Sequence, residues 1–357
     1  MPDTVLSDSP SEDLKARWQA LKAEQPKLRT VDAARKLEVS EAEILNCRVG
    51  ENVTRLAGDM GDVLKKVPKL GEVMALTRNA HAVHEKYGSY KHVVISPGHA
   101  IVNQKEIDLR LFMGNWHYGF AVTEEVPSGV RSSLQFFGLD GKVVHKIYTT
   151  DDSEPGAYQA IVEAHRMDDD DAADAALRIA PKKPAKMDPP DDSVDLPSFR
   201  AHWEALQDTH DFIGLLQEFG VGRHQALRLI GEDFAYRLDP SAIRLALEGA
   251  AQQGVSIMCF VGNPGCIQIH TGPIHKTGPS GNWFNIFDER FHLHLDQGAI
   301  DSLWLVRKPT REGIVTALEA FDTENQHWIQ FFGERKPGRG ELSEWRALVE
   351  GLPRAPS

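Results

Sequence analysis

The chain has 357 residues, 41% of them hydrophobic, which suits two soluble domains, and no apolar run approaches the ~18 residues of a membrane span. Its net charge of −12 argues against a general nucleic-acid coat, because phosphate contacts need a basic face. Cys47, Cys259 and Cys266 are an odd number without zinc spacing, and the acidic N-terminus lacks the regions of a signal peptide, so reduced thiols in the cytoplasm are expected.

Residues 1–13 are expected to form a disordered tail, followed by a helix from Leu14 to Lys22. Thr30 to Gly50 predicts a helix, a turn and a second helix, with Ser40 as N-cap and Glu43 completing a capping box. That outline fits a DNA-reading helix-turn-helix. Its second helix, however, presents Glu41, Glu43 and Asn46, and only Arg48 is cationic, so the other reading is a helical hairpin packed on its own sheet. A short helix spans Asp62 to Leu70. From Glu72 the chain turns to alternating segments separated by turn residues, from VMALTRN to VVHKIYTT, which predict an antiparallel meander. Helices open and close each half. The fold class is therefore α+β, not a doubly wound parallel sheet.

One strand is especially informative. Period-two geometry puts Ile107, Leu109, Leu111 and Met113 on one face and Asp108, Arg110 and Phe112 on the other. Arg110 and Phe112 then stand side by side, either as an exposed pair or as part of a site.

The connector Met167 to Asp195 carries nine Asp against three Lys and one Arg, and its Pro and Asp content predicts a solvated linker. Beyond it, helices are expected at Phe199 to Phe219, Arg223 to Ile230 and Ser241 to Gln253, then strands SIMCFVG, CIQIHTG, WFNIFD, FHLHLD, SLWLVRK and WIQFFGER. In the first helix Trp203, Leu206, Ile213 and Leu216 make an apolar stripe that includes His210, which points to a core or a pocket. Lys308, Gln330, Phe332 and Arg335 cluster at the ends of the last two strands. A closing helix, Glu341 to Glu350, should dock through Leu342, Trp345 and Leu348.

The two halves, 14–165 and 196–352 around the 166–195 linker, repeat one pattern. RWQAL at Arg17 matches HWEAL at His202, and RNAHAVHEKYG at Arg78 lies over GNPGCIQIHTG at Gly262. LFMGNWH at Leu111 lies over IFDERFH at Ile286, and LQFFG at Leu134 over IQFFG at Ile329. This pairing, with LEVSEAEIL at Leu37 laid over FGVGRHQAL at Phe219, sets His210 opposite Gln25, Arg223 opposite Glu41, and Arg110 opposite Asn285. Each pair has a ligand-capable or cationic group in one half only. A single ligand between two related domains would produce that asymmetry.

No nucleophile elbow, phosphate-binding loop, dinucleotide glycine pattern or HExxH motif occurs. His292 with His294, and His270 with His275, lack a carboxylate at metal-site spacing. What is left is one helix histidine, several Arg and Lys, and several Phe. A flat apolar ligand bearing carboxylates and a metal calls for that set: imidazole for iron, rings for the faces, cations for propionates. That ligand is haem.

DTHDF around His210, FVGNPGCIQIHTGPI from Phe260, DLRLF at Arg110 and QFFGER before Lys336 resemble the bacterial cytoplasmic haemin-handling proteins of the HemS/ChuS/PhuS type, over nearly the whole chain. The resemblance implies two similar α+β halves with large antiparallel sheets and one haem in the cleft between them. It implies His210 as axial ligand of the iron and Arg110 as distal arginine, the catalytic residue if the chain is an enzyme, with Phe112 beside it. Arg223, Phe260, Lys308, Gln330 and Arg335 match further pocket positions, with Arg223, Lys308 and Arg335 expected on the propionates. Phe332 stands where some members have Tyr. The implied role is carriage of imported haem from a haem-importing transporter to a haem oxygenase. Haem degradation by the chain itself, with an external electron donor, is the alternative. A haem-responsive DNA-binding regulator is a third reading.

Overall fold

A computed structural model of the chain describes residues 10–103, 105–126, 129–168, 176–181, 187–335 and 338–356. Two units emerge, Met1–Leu76 with Tyr87–Lys183 and Pro264–Cys266, and Thr77–Lys86 with Pro184–Asn263 and Ile267–Ser357. The strands form two nine-stranded sheets, antiparallel in every pair with a defined register. No helix among the described residues is long and apolar enough to cross a membrane.

The first unit contains β1 (Val53–Leu56), β2 (Gly71–Arg78) and β3 (Ala82–Ser89), the last two shared with the second unit, then β4 (Val93–Ser96), β5 (His99–Asn103), β6 (Asp108–Phe112), β7 (Tyr118–Val126), β8 (Gly129–Phe137) and β9 (Val143–Ser153). The second contains β10 (Ala235–Leu238), β11 (Ile257–Asn263), β12 (Cys266–Gly272), β13 (Thr277–Ser280), β14 (Trp283–Asp288), β15 (Phe291–Asp296), β16 (Ser302–Thr310), β17 (Gly313–Phe321) and β18 (His327–Gly333). The orders β1-β7-β8-β9-β2 and β10-β16-β17-β18-β11 are the same once nine is added to each strand of the first. The repeat is thus a repeat of topology.

That order corrects two of the sequence pairings. LQFFG ends β8 whereas IQFFG lies in β18, the counterpart of β9. Likewise LFMGNWH begins in β6 and IFDERFH in β14, the counterpart of β5. The identical letters sit on non-equivalent strands. Four strands were also missed: β1, β10, β13 and β17. In β17 the run TALEA has helix-favouring residues, and pairing on both edges with β16 and β18 overrides that preference.

Helices follow local signals more closely. Ser40 caps Glu41–Asn46, accepting from the Glu43 N–H at 3.2 Å while the Glu43 carboxylate accepts from the Ser40 N–H at 2.7 Å. The DNA-reading face fails here. Arg48 is buried, ion-paired to Glu124 at 2.9 Å and set over the Trp18 ring, and Glu41 is buried too, so this hairpin packs inward. The first helix runs Pro10–Glu24, so the tail expected to reach residue 13 ends earlier, and residues 1–9 lie outside the described residues. The single helix expected over Phe199 to Phe219 is two, Leu196–Glu204 and Asp211–Phe219.

Of the connector, the Arg178 carbonyl accepts from Tyr118 Oη at 2.8 Å in the first unit. Asp191 accepts from Gln225 and Arg228 at 2.8 and 2.9 Å in the second. Residues 169–175 and 182–186 lie outside the described residues.

In the second unit, the helix Ala242–Gln253 buries Ile243, Ala246, Leu247 and Ala250 against Ile257, Leu305 and Phe331. The closing helix Ser343–Glu350 adds Trp345, whose indole N–H donates to the Thr316 carbonyl at 2.9 Å. A buried Trp of this kind contributes about 3–5 kcal/mol. Its close approach requires glycine opposite, since a Cβ on Gly333 would lie 2.7 Å from the Trp345 Cβ.

Candidate functional site

The break between Leu196–Glu204 and Asp211–Phe219 is made by Asp208, whose carboxylate accepts from the His210 backbone N–H at 2.9 Å. Such side-chain-to-backbone bonds compete with helical pairing. His210 is therefore the N-cap of the second helix, not a member of an apolar stripe. Its side chain is 92% exposed, which removes the core-histidine reading. Ile213 is exposed as well, and Phe199, Trp203, Phe212 and Leu215 form the buried face instead.

Asp208 Oδ1 also lies 2.6 Å from His210 Nδ1. A carboxylate only accepts, so Nδ1 donates and the Nε2 lone pair points away. The His210 backbone N–H, then its ring and the Arg335 charge, hold the Asp208 carboxyl below its ordinary range. Arg335 donates to Thr209 Oγ1 at 3.2 Å, placing it beside this turn.

A second cluster is built on one buried carboxylate. Glu319 in β17 is fully buried and accepts from Arg223 Nε at 2.7 Å, Arg223 Nη2 at 3.0 Å and Lys308 Nζ at 2.6 Å. Arg223 Nη2 also donates to Gln330 Oε1 at 3.1 Å. Burial alone would raise the Glu319 carboxyl, but the Arg223 and Lys308 charges outweigh it and hold it far below the usual range. Burial pushes Lys308 down to about 8, and it pushes neighbouring His327 down to about 3. The Lys308 Nζ lies 4.3 Å from the Phe212 ring centroid, under cover. Phe260 pairs with Gln330 across the sheet, and its ring meets Phe332 edge-on at 5.4 Å.

Arg223, Lys308 and Gln330 thus meet at one carboxylate, Phe260 and Phe332 face each other, and His210 and Arg335 share a turn. Lys308 differs from expectation: it is 2% exposed and neutralised internally, not presented to a propionate. Sequence reasoning missed Glu319 and Asp208. Asp208 had a signal, an Asp two residues before the histidine. Glu319 had one too, a lone charge in phase with Val315, Ala317 and Phe321.

In the first unit, β6 alternates as expected up to Phe112, whereas Met113, expected on the buried face, is half-buried in the short helical turn Met113–Asn115. Ile107, Leu109 and Leu111 are buried, and Asp108, Arg110 and Phe112 are half-buried. Arg110 is ion-paired with Asp108 and donates to the Leu109 carbonyl at 3.2 Å. Phe112 meets the His99 ring edge-on at 5.8 Å.

A family model described as the haemin-degrading HemS.ChuX domain matches residues 38–165 and 220–352. The hemin transport protein HmuS of Yersinia pestis is 39% identical over 334 residues, covering 93% of this chain and 94% of that protein. Among solved structures, holo-PhuS, a heme-binding protein from Pseudomonas aeruginosa, is 42% identical with a TM-score of 0.93, covering 97% of this chain and 100% of that one. The heme degrading enzyme ChuS of Escherichia coli O157:H7 is 33% identical with a TM-score of 0.89, covering 96% and 99%.

Proposed function

The chain belongs to the haemin-degrading HemS/ChuX family, and from that premise we propose that it binds haem through His210 and carries it in haemin utilisation. The observation that carries this reading is the Asp208–His210 pair: an exposed imidazole with Nδ1 held by a carboxylate at 2.6 Å and Nε2 directed outward. Iron-ligating histidines are oriented by this kind of partner. The neighbouring residues fit a porphyrin dicarboxylate. Arg335 and Arg223 supply cations, and half-buried Phe260, backed by buried Phe332, supplies apolar surface. Haem would bring the iron, and the protein contributes ligation, charge pairing and exclusion of water.

Carriage is favoured by the hemin transport relatives; Arg110 engages Asp108 and the Leu109 carbonyl through Nη1 alone, which keeps degradation as the second reading. Degradation calls for a distal donor available to the iron. The cytoplasmic role follows as supply of haem by an importer and delivery to a haem oxygenase, with one haem per chain.

Titration should saturate at one equivalent. His210→Ala should alter the Soret band and speed haem release at least about tenfold. His202 and His224 are the substitutes to remove at the same time. A wild-type spectrum and release rate in that triple variant would overturn the ligand assignment. With ascorbate, oxygen and catalase present, a carrier keeps its Soret band, and conversion to a bilin absorbance would make degradation the main role.

A further inference from the structure

We propose that Glu319 is a positioning residue for ligand recognition, gripping Arg223 so that its Nη1 edge is kept for a carboxylate of the ligand, with Lys308 acting as counter-ion to Glu319 and touching no ligand. This rests on the haem reading above. Arg223 gives Nε to Glu319, and Nη2 to both Glu319 and Gln330, at 2.7, 3.0 and 3.1 Å. Those three bonds use the Nε–H and both Nη2 hydrogens, and no acceptor for Nη1 occurs among the described residues. Of the ionic trio only Arg223 reaches solvent, at 20% side-chain exposure against 0% for Glu319 and 2% for Lys308. Two cations and one anion leave a single positive charge, delivered at the Arg223 end. A guanidinium held at Nε and Nη2 presents Nη1 in a set direction, for one charge-assisted hydrogen bond to a carboxylate.

The fold itself does not demand a charge here. β8 and β17 are both nine residues long, and Gln135 holds in β8 the place that Glu319 holds in β17. Gln135 is buried and settles for a bond to Ser133 Oγ at 3.0 Å. Glu319→Gln is therefore a replacement the scaffold already carries in its other half. Loss of the carboxylate should also let buried Lys308 discharge, since burial already holds it near 8. The cluster then keeps about one positive charge, and the variant reports on direction.

The measurement is equilibrium binding of haem and of haem dimethyl ester by the full chain, read as the ratio of the two affinities. Glu319→Gln should cut the preference for the free acid about tenfold, the loss of roughly one charge-assisted hydrogen bond. Arg223→Ala should cut it equally, and combining the two should cut it no further, because Glu319 acts through Arg223. Lys308→Met, which removes the surplus charge but keeps the grip on Arg223, should lower it by less than Arg223→Ala does. Glu319→Asp, which keeps the charge but withdraws the grip by one methylene, should fall between, and it serves if the Gln variant does not fold. Equal weakening of both ligands by Glu319→Gln, full additivity with Arg223→Ala, or a wild-type ratio in Glu319→Asp would each overturn the proposal. A wild-type chain that binds no haem would refute the haem reading itself. One that binds haem and diester alike would leave that reading standing and remove the carboxylate contact.

Discussion

The same four places in the two units carry different charges. Glu41 and Arg223 are the first residues of matching helices. Glu124 and Lys308 hold the seventh position of β7 and β16, and Gln135 and Glu319 the seventh position of β8 and β17. Lys146 and Gln330 are their cross-strand partners in β9 and β18. In the first unit Lys146 lies 3.6 Å from Glu41, and Arg48 pairs Glu124 at 2.9 Å, so the set balances internally. In the second, Arg223, Lys308 and Glu319 leave one cation over. A repeated scaffold therefore fixes where buried polar groups can sit without fixing their sign, and only one copy has a charge to offer an anion.

The sharpest way to break that comparison is to remove each carboxylate. Glu319→Ala leaves buried Lys308 and half-buried Arg223 without their anion and should cost about 3–5 kcal/mol in urea unfolding. Glu41→Ala, whose carboxylate lies 3.6 Å from Lys146, should cost about 1–3 kcal/mol. Equal losses would mean that the two clusters are energetically alike.

Acid should act on both units. Burial pushes His145 in the first unit, and His270 and His327 in the second, down to about 3. The unfolded chain takes up those protons near pH 6.5 and the folded chain does not, so stability is full above that pH. It falls as pH drops toward 3, by up to about 1.4 kcal/mol per pH unit for each histidine. Unfolding curves between pH 7 and 4 should show the decline, and His327→Gln should flatten it by one proton. Stability that rises on acidification over this range would contradict it.

The smallest effect belongs to His210. Because its side chain is 92% exposed, His210→Ala should move the ligand-free unfolding energy by no more than about 0.5 kcal/mol. A larger loss would tie the residue to folding.

Much of this was legible beforehand, and the failures have physical causes. Strand alternation placed Arg110 and Phe112 on one half-buried face, and the Ser40–Glu43 capping box formed as its spacing required. Counting a 3.6-residue period through Phe199 to Phe219 misplaced His210, because Asp208 diverts the backbone there. QFFG misled in another way. Shared letters suggested that Gln135 and Gln330 correspond, whereas strand order pairs Gln135 with Glu319. Which strand a motif occupies is settled by long-range pairing, which a local pattern does not contain.

The two ends of the proposed ligand-binding set differ in depth, which would give cargo release a direction. Glu319 sits in β17, hydrogen-bonded along both edges and buried over most of its length, the kind of segment that opens only when the whole unit does. His210 sits in an irregular turn, held by one aspartate, where local opening costs little. Amide protons of β17 should be among the last to exchange and those around Thr209 among the first. A haem held by His210 and by Arg223, which Glu319 anchors, would then lose its iron ligand before its charged anchor, staying tethered on the propionate side while an acceptor takes hold of the metal.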